Sequence, residues 1–348
     1  AGRRIATTDA NGHQTSYTYD DRGRLVMTTY PDGTTTQQQY NSIGWLLSSI
    51  DQAGQTTTYT YDGVGRLLSV HDALGLITEY GYDAAGNQQS ITDANGHTTT
   101  FEYDSSGRRI RRTLPGGGSE FYDYDAAGNL ISRTDFNGKT TSYVYDDMDR
   151  LTQKVPDPSL GEPATRYFYT LTGLRSRMED TSGITTYGYD VRGRLISKTT
   201  PYGTLSYTYD LANNLLSVQS SNPDGTWVNY SYDALNRLET VTDHQLASGV
   251  TTYTYDDVSN LTSYVYPNGV QTTQQYDELY RLTGIQIGNA GGTIASYSYT
   301  LGNAGNRLTA TELDGRTVSY SYDALYRLTG EIITNDPVST NNGTISYT

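Results

Sequence analysis

Cysteine is absent from the 348 residues, which excludes disulfides, thiolate metal sites and cysteine nucleophiles. A repeat array needs no such staples, so the compartment stays open on this evidence. Phenylalanine and tryptophan are scarce, with four and two copies. Positive charge is short as well: 24 Lys and Arg face 38 Asp and Glu, for a net charge of −14. Nucleic acid needs a basic surface that releases counterions, so no nucleic-acid partner is expected. Anionic membranes are disfavoured for the same reason, and no apolar run approaches the ~20 residues of a spanning helix. No signal peptide is evident.

What the chain does have is 34 tyrosines and 36 glycines. Tyrosine must therefore supply much of the buried area, with its hydroxyl at a wet edge or on a partner. The stretch TDANGHQTSYTYD at 8–20 returns as TDANGHTTTFEYD at 92–104, an offset of 84, or four times 21. Tyr19, Tyr61, Tyr82, Tyr103, Tyr124 and Tyr145 each precede an aspartate, and Tyr40 before Asn41 fills the gap at the same 21-residue interval. The column continues more loosely through Tyr169, Tyr189, Tyr209, Tyr232, Tyr255, Tyr276, Tyr299 and Tyr322, at intervals of 20 to 24. Variable insertions of this kind belong to loops between stacked β units.

One unit reads Thr-x-Tyr-x-Tyr-Asp, two variable residues, Gly-Arg-Leu, a short strand and an Asp-x-x-Gly turn. In the specimen from Thr57 to Leu76, Tyr59 and Tyr61 share one strand face, with Thr60 and Asp62 on the other. Leu67 and Ser69 are expected to share a face on the returning strand. Gly23, Gly65, Gly86, Gly107, Gly128 and Gly193 hold one turn position, where positive φ costs glycine least. Asp149, Asn213 and Asn236 are tolerable replacements there. Tyr280 and Tyr326 break the pattern and imply a different turn type. The fold expected is all-β: antiparallel hairpins of about 21 residues stacked into one long coiled sheet, shell-like or solenoid-like. Its span is 1–348 as a single continuous array, cut mid-repeat at both ends, with a Pro-rich loop near 155–165.

No constellation here points to catalysis. His13 and His97 follow the same turn in two units and are expected to face solvent rather than bind metal; His71 and His244 are the remaining histidines. Asp20 with Arg24, Asp62 with Arg66, Asp104 with Arg108, Asp190 with Arg194 and Asp233 with Arg237 read as turn-fixing ion pairs. A catalytic carboxylate would be singled out, not copied from unit to unit. Each Asp-x-x-Gly turn offers one or two oxygens, where calcium takes six to eight. No cofactor, metal or catalytic residue is therefore assigned. The tyrosine columns are expected to stack between units and pack on the leucines, with sugar binding as the functional alternative.

The units YTYDGVGRLLSV, YTYDDRGRLVMT and YGYDVRGRLISK closely resemble the YD repeat of RHS-repeat proteins, over essentially the whole chain. The resemblance implies a sheet spiralling into a hollow shell, which in toxin complexes and polymorphic toxins encloses a C-terminal effector. Related arrays in wall-associated proteins and teneurins imply instead an extracellular or cell-surface fibre or adhesin, with glycans as possible ligands. Toxin-type cores end in an Asp-Pro-x-Gly-Leu segment; Asp157-Pro158-Ser159-Leu160-Gly161 has a different order and Asp336-Pro337-Val338 lacks the rest, so no cleavage residue is carried over. The expected role is a non-catalytic wall segment of a secreted shell, whose partners are its own array and an enclosed effector.

Overall fold

A computed structural model describes residues 2–247 and 249–347. Among the described residues, thirty-two strands, from Ala6–Thr8 to Gly343–Ser346, form one antiparallel sheet, and no α-helix occurs. None of their helical turns is long and apolar enough to cross a membrane. This is the stacked-hairpin array that the 21-residue period implies.

The specimen hairpin pairs Thr56–Tyr61 with Leu67–His71. Its turn is tied by the Gly65 N–H donating to the Asp62 carbonyl at 3.1 Å and the Asp62 N–H donating to the Arg66 carbonyl at 3.0 Å. That is a type I turn closed by a left-handed residue, a common three-residue hairpin loop. The turn at the other end repeats it: Asp72 N–H donates to the Leu76 carbonyl and Gly75 N–H to the Asp72 carbonyl. In both turns the aspartate Oδ1 accepts two backbone N–H groups, those of Val64 and Arg66, and those of Leu74 and Leu76. Aspartate at these corners is a surrogate backbone acceptor that holds the loop closed.

One expectation about the strand faces is corrected. Tyr59 lies opposite Val70 and Thr60 opposite Ser69, but Tyr61 lies opposite Leu67 because the register shifts between Thr60 and Tyr61. The extra residue of this β-bulge places Leu67 on the tyrosine face and Ser69 on the other. A hydroxyl contact of 2.6 Å between Thr60 and Ser69 fixes that second face. The same shift recurs beside Tyr19, Tyr103, Tyr145 and Tyr322. In the unit containing Tyr299 the shift falls beside Leu301, with Tyr299 opposite Ala310. Leu301, not Tyr299, therefore stands in the tyrosine column there.

The sheet keeps both faces wet. The described surface is 20614 Å², against roughly 14,000 Å² for a compact monomer of this mass. Among the described residues the buried apolar side chains are Ala310 and Val318, 8% and 5% exposed, and most other buried residues are Thr, Ser or Glu. Cohesion must come from neighbour-to-neighbour contacts rather than from one core.

The described residues within Ala1–Thr78, Arg237–Thr240 and Gly249–Thr348 form one compact unit, and those within Glu79–Asn236 and Val241–Ser248 the other. The Pro-rich loop lies in the second, between strands ending at Val155 and starting at Thr165, with a 3-10 turn over Pro158–Leu160. Asp157 anchors it: its carboxylate accepts from Ser159 N–H and hydroxyl and from Thr140 N–H. Those donors, Ser159 first, hold its pKa down to about 2.

Candidate functional site

The repeated chemistry gathers along the turn edge. Asp20, Asp62, Asp104 and Asp190 pair with Arg24, Arg66, Arg108 and Arg194 at 2.6–2.7 Å. The Arg24 backbone N–H and guanidinium hold the Asp20 carboxyl below the usual carboxylate range, and Arg108 does the same for Asp104. These arginines do more than close their own turns. Arg24 Nη1 also donates to the Asn41 carbonyl of the next unit at 2.8 Å, and Arg108 to that of Asp125 at 2.8 Å. Arg194 reaches the Asp210 carbonyl at 2.7 Å and Arg237 that of Asp256 at 2.9 Å. Each is a stitch between consecutive hairpins.

The same guanidinium groups cover the next tyrosine ring, 4.8–4.9 Å from its centroid for Arg24 on Tyr40, Arg108 on Tyr124, Arg194 on Tyr209 and Arg237 on Tyr255. This corrects the expectation of ring-on-ring columns. Successive column tyrosines are two strands, about 10 Å, apart. That exceeds the reach of ring stacking, and a cation–π layer fills the interval.

The hydroxyls explain why the column is tyrosine and not phenylalanine. Those of Tyr103, Tyr124 and Tyr145 donate at 2.8–3.0 Å to the carbonyls of Gln88, Arg109 and Leu130. Each acceptor is the residue opposite the preceding column tyrosine, at the bulge, where the ladder is interrupted. Tyr19, Tyr189, Tyr209, Tyr232, Tyr255, Tyr276 and Tyr322 make the equivalent bond at 2.8–3.0 Å. Tyr61 and Tyr82 hold the same register opposite Leu67 and Gln88, and Tyr61 also lies 5.4 Å from the Trp45 ring. Gly23, Gly65, Gly86, Gly107, Gly128 and Gly193 sit at φ between 75° and 99°.

Residues that replace glycine at this corner use their side chains as further stitches. Asp149 accepts from Asn129 at 2.6 Å, and Asn236 from Asn214 at 2.9 Å. Tyr280 and Tyr326 adopt the same turn as the glycines, with φ of 61° and 60° and the usual bond to Asp277 and Asp323. The expected change of turn type is therefore wrong. Their rings reach instead across the first unit, where the Tyr280 hydroxyl donates to Asp9 and that of Tyr326 to Asp51 at 2.5 Å. Arg281 adds a contact of 3.8 Å to Asp32. Turn edges some 250–275 residues apart in the chain thus meet as a seam.

A cleft of about 720 Å³ opens on that seam, lined by His13, Asp32, Asp256, Asp277 and Arg281 among others. Its three aspartates are committed to their own turns: Asp277 to Arg281 at 2.6 Å, Asp256 to Asn260, Asp32 to Thr34. His13 lies 5.7 Å from the Tyr280 ring and is only 28% exposed, so the expectation that it faces solvent as His97 does fails. His71 contacts Ser69 and His244 stacks on Trp227. No cluster of three or more His, Cys, Asp or Glu side chains that could hold a metal occurs among the described residues.

One residue escaped the sequence reading. Glu120 takes the motif's first threonine position and is 2% exposed. Its carboxylate lies 2.9 Å from Arg133 and 3.6 Å from Arg112, and accepts from the Tyr122 hydroxyl. Burial alone would raise its pKa; the Tyr122 and Arg133 hydrogen bonds outweigh that and hold it below the ordinary value. An acid among a column of threonines was the available signal.

Eight segments match the RHS Repeat family: residues 1–35, 40–77, 61–98, 82–119, 124–159, 169–205, 209–251 and 255–294. No curated protein sequence matches the chain. The fold is similar to that in the crystal structure of TcdB2-TccC3-Cdc42, with a TM-score of 0.80 and 18% identity over 92% of this chain and 19% of that one. TcdB2-TccC3 without its hypervariable C-terminal region gives 0.78 and 17% identity over 97% and 22%. The Tc holotoxin pore of Photorhabdus luminescens gives 0.57 and 18% identity over 98% and 21%. The chain thus spans about a fifth of the length of the solved chains it matches. With the repeat, its turn stitches and these matches together, the chain belongs to the RHS repeat family.

Proposed function

We propose that this chain is a wall segment of a hollow, secreted RHS-type shell that encloses an effector polypeptide. The observation that carries this reading is the seam: Tyr280 on Asp9 and Tyr326 on Asp51. A ribbon that runs on as a straight fibre never returns to residues 271 or 275 positions earlier, whereas a wound wall must. The likeness to the TcdB2-TccC3 structures supports the same reading at the level of fold. The repeat is assigned no catalytic role, because its carboxylates serve their own turns one after another. Electron microscopy of the full-length product containing this segment tests the proposal. A closed hollow particle is expected, and an extended filament would overturn it in favour of a cell-surface fibre.

A further inference from the structure

The tyrosine face of the second unit carries a line of cations. Register places Arg112 opposite Phe101 and Glu120, Arg133 opposite Tyr122 and Thr141, and Lys154 opposite Tyr143 and Thr165. Lys198 lies opposite Tyr187, and Arg109 and Arg175 lie opposite Tyr103 and Tyr169. Equivalent positions in the first unit include the neutral Ser49, Val70, Tyr264 and Ile285, with acidic Glu331 opposite Tyr320 and basic Arg307 opposite Leu301, so no comparable row of cations forms there. The opposite face of these rows is mixed instead, pairing Arg111 with Glu102 and Arg177 with Glu179. In a chain of net charge −14, this one-sided collection runs against the overall composition.

Glu120 shows what such a line holds. Its carboxylate sits between the guanidinium groups of two successive hairpins, with a tyrosine hydroxyl donating from beside it. One hairpin further on, Arg133, Lys154 and Tyr143 occupy the registers of Arg112, Arg133 and Tyr122, and Thr141 occupies that of Glu120. The acid is missing from this second cradle, and Lys154 is exposed. We propose that the strip binds an acidic segment of another polypeptide, one of whose carboxylates is held by Arg133, Lys154 and the Tyr143 hydroxyl. Charge-assisted bonds to a carboxylate are the strong ones, and an arginine is suited to share two acceptors.

The spacing favours an extended polypeptide. Cations one hairpin apart lie about 10 Å from each other, which one three-residue turn of a polyproline II chain covers while keeping every third side chain on one side. A nucleic acid would feel the net negative charge over its length, whereas a short acidic segment feels the local strip within a screening length of about 10 Å. The inference stands on this strip alone and holds whether or not the array forms a shell.

The test uses the whole 348-residue chain and a fluorescein-labelled peptide with glutamate at every third position, read by anisotropy. Binding should weaken with added salt, and Lys154→Gln should lower the affinity by about tenfold. Thr141→Glu should fill the cradle from within, lowering peptide affinity at least as far while leaving the thermal midpoint unchanged or raised. Lys139→Gln, at a turn outside the strip, should bind as the parent does. Parent-like peptide binding by Thr141→Glu would overturn the proposal, as would an oligothymidylate that binds more tightly than the peptide.

Discussion

The hydroxyl of Tyr326 donates to Oδ2 of Asp51, 275 residues earlier in the chain, at 2.5 Å. The same tyrosine stands at a corner where most units carry glycine, with φ of 60°. A left-handed backbone costs a side-chain-bearing residue roughly 1–2 kcal/mol. The residue is thus held in an unfavourable conformation by a contact that lies outside its own repeat.

Tyr326→Phe keeps the strained backbone and removes the donor. A loss of about 1 kcal/mol is expected in urea unfolding, with faster hydrogen exchange at the Ala53 and Gln55 amides that Asp51 holds. Tyr326→Gly loses the same bond but relieves the backbone, so it should be the milder of the two. If the Phe variant matches the parent in both measurements, the seam bond is idle.

Alkaline pH should loosen the array. Burial and then the Asp51 hydrogen bond raise the Tyr326 pKa to about 12, and burial raises Tyr61, Tyr145, Tyr232 and Tyr276 above 10. In the unfolded chain these phenols ionise near 10, while the folded chain still holds their protons. Their stabilising contribution is therefore complete below pH 10 and is lost as pH rises toward 12. Absorbance at the phenolate band should show a late-titrating group that disappears in Tyr326→Phe. A parent titration identical to that variant would contradict the assignment.

Tyr145→Phe tests the column hydroxyl. It leaves the Leu130 carbonyl at the bulge without its 3.0 Å donor, and about 1 kcal/mol should be lost. The same change at Tyr209, six strands further along the chain, should add to the first rather than compound it. Calorimetry of the two single variants and the double variant decides the matter.

Gly107 offers a paired comparison. Its φ is 75°, and a Cβ there would come within 3.3 Å of Asn87 Oδ1. Gly107→Ala should cost about 1 kcal/mol through backbone strain alone. Gly107→Asn should cost less, since asparagine tolerates this conformation and meets Asn87 in the register that joins Asn214 to Asn236 at 2.9 Å. Equal midpoints for the two variants would show that no such stitch forms.

The hairpins, their period, the turn aspartates and the positive-φ corners were legible in the amino-acid order. Each depends on residues within about one 21-residue unit, and the repetition states the rule many times over. The tyrosine column was visible too, but the reason for its hydroxyl was not. That reason is a bulge, which slides the register by one residue, puts Leu67 and Ser69 on opposite faces, and moves the column from Tyr299 to Leu301. Tyr280, Tyr326 and His13 looked like irregular or interchangeable turn residues, because their partners lie some 270 positions away in the chain. Local spacing carries no information about which distant turns will lie side by side. The amino-acid order by itself determined the repeated β-hairpin; the tertiary structure alone decided the strand faces, the seam and the seat of Glu120, because those are set by register and by the return of the sheet on itself.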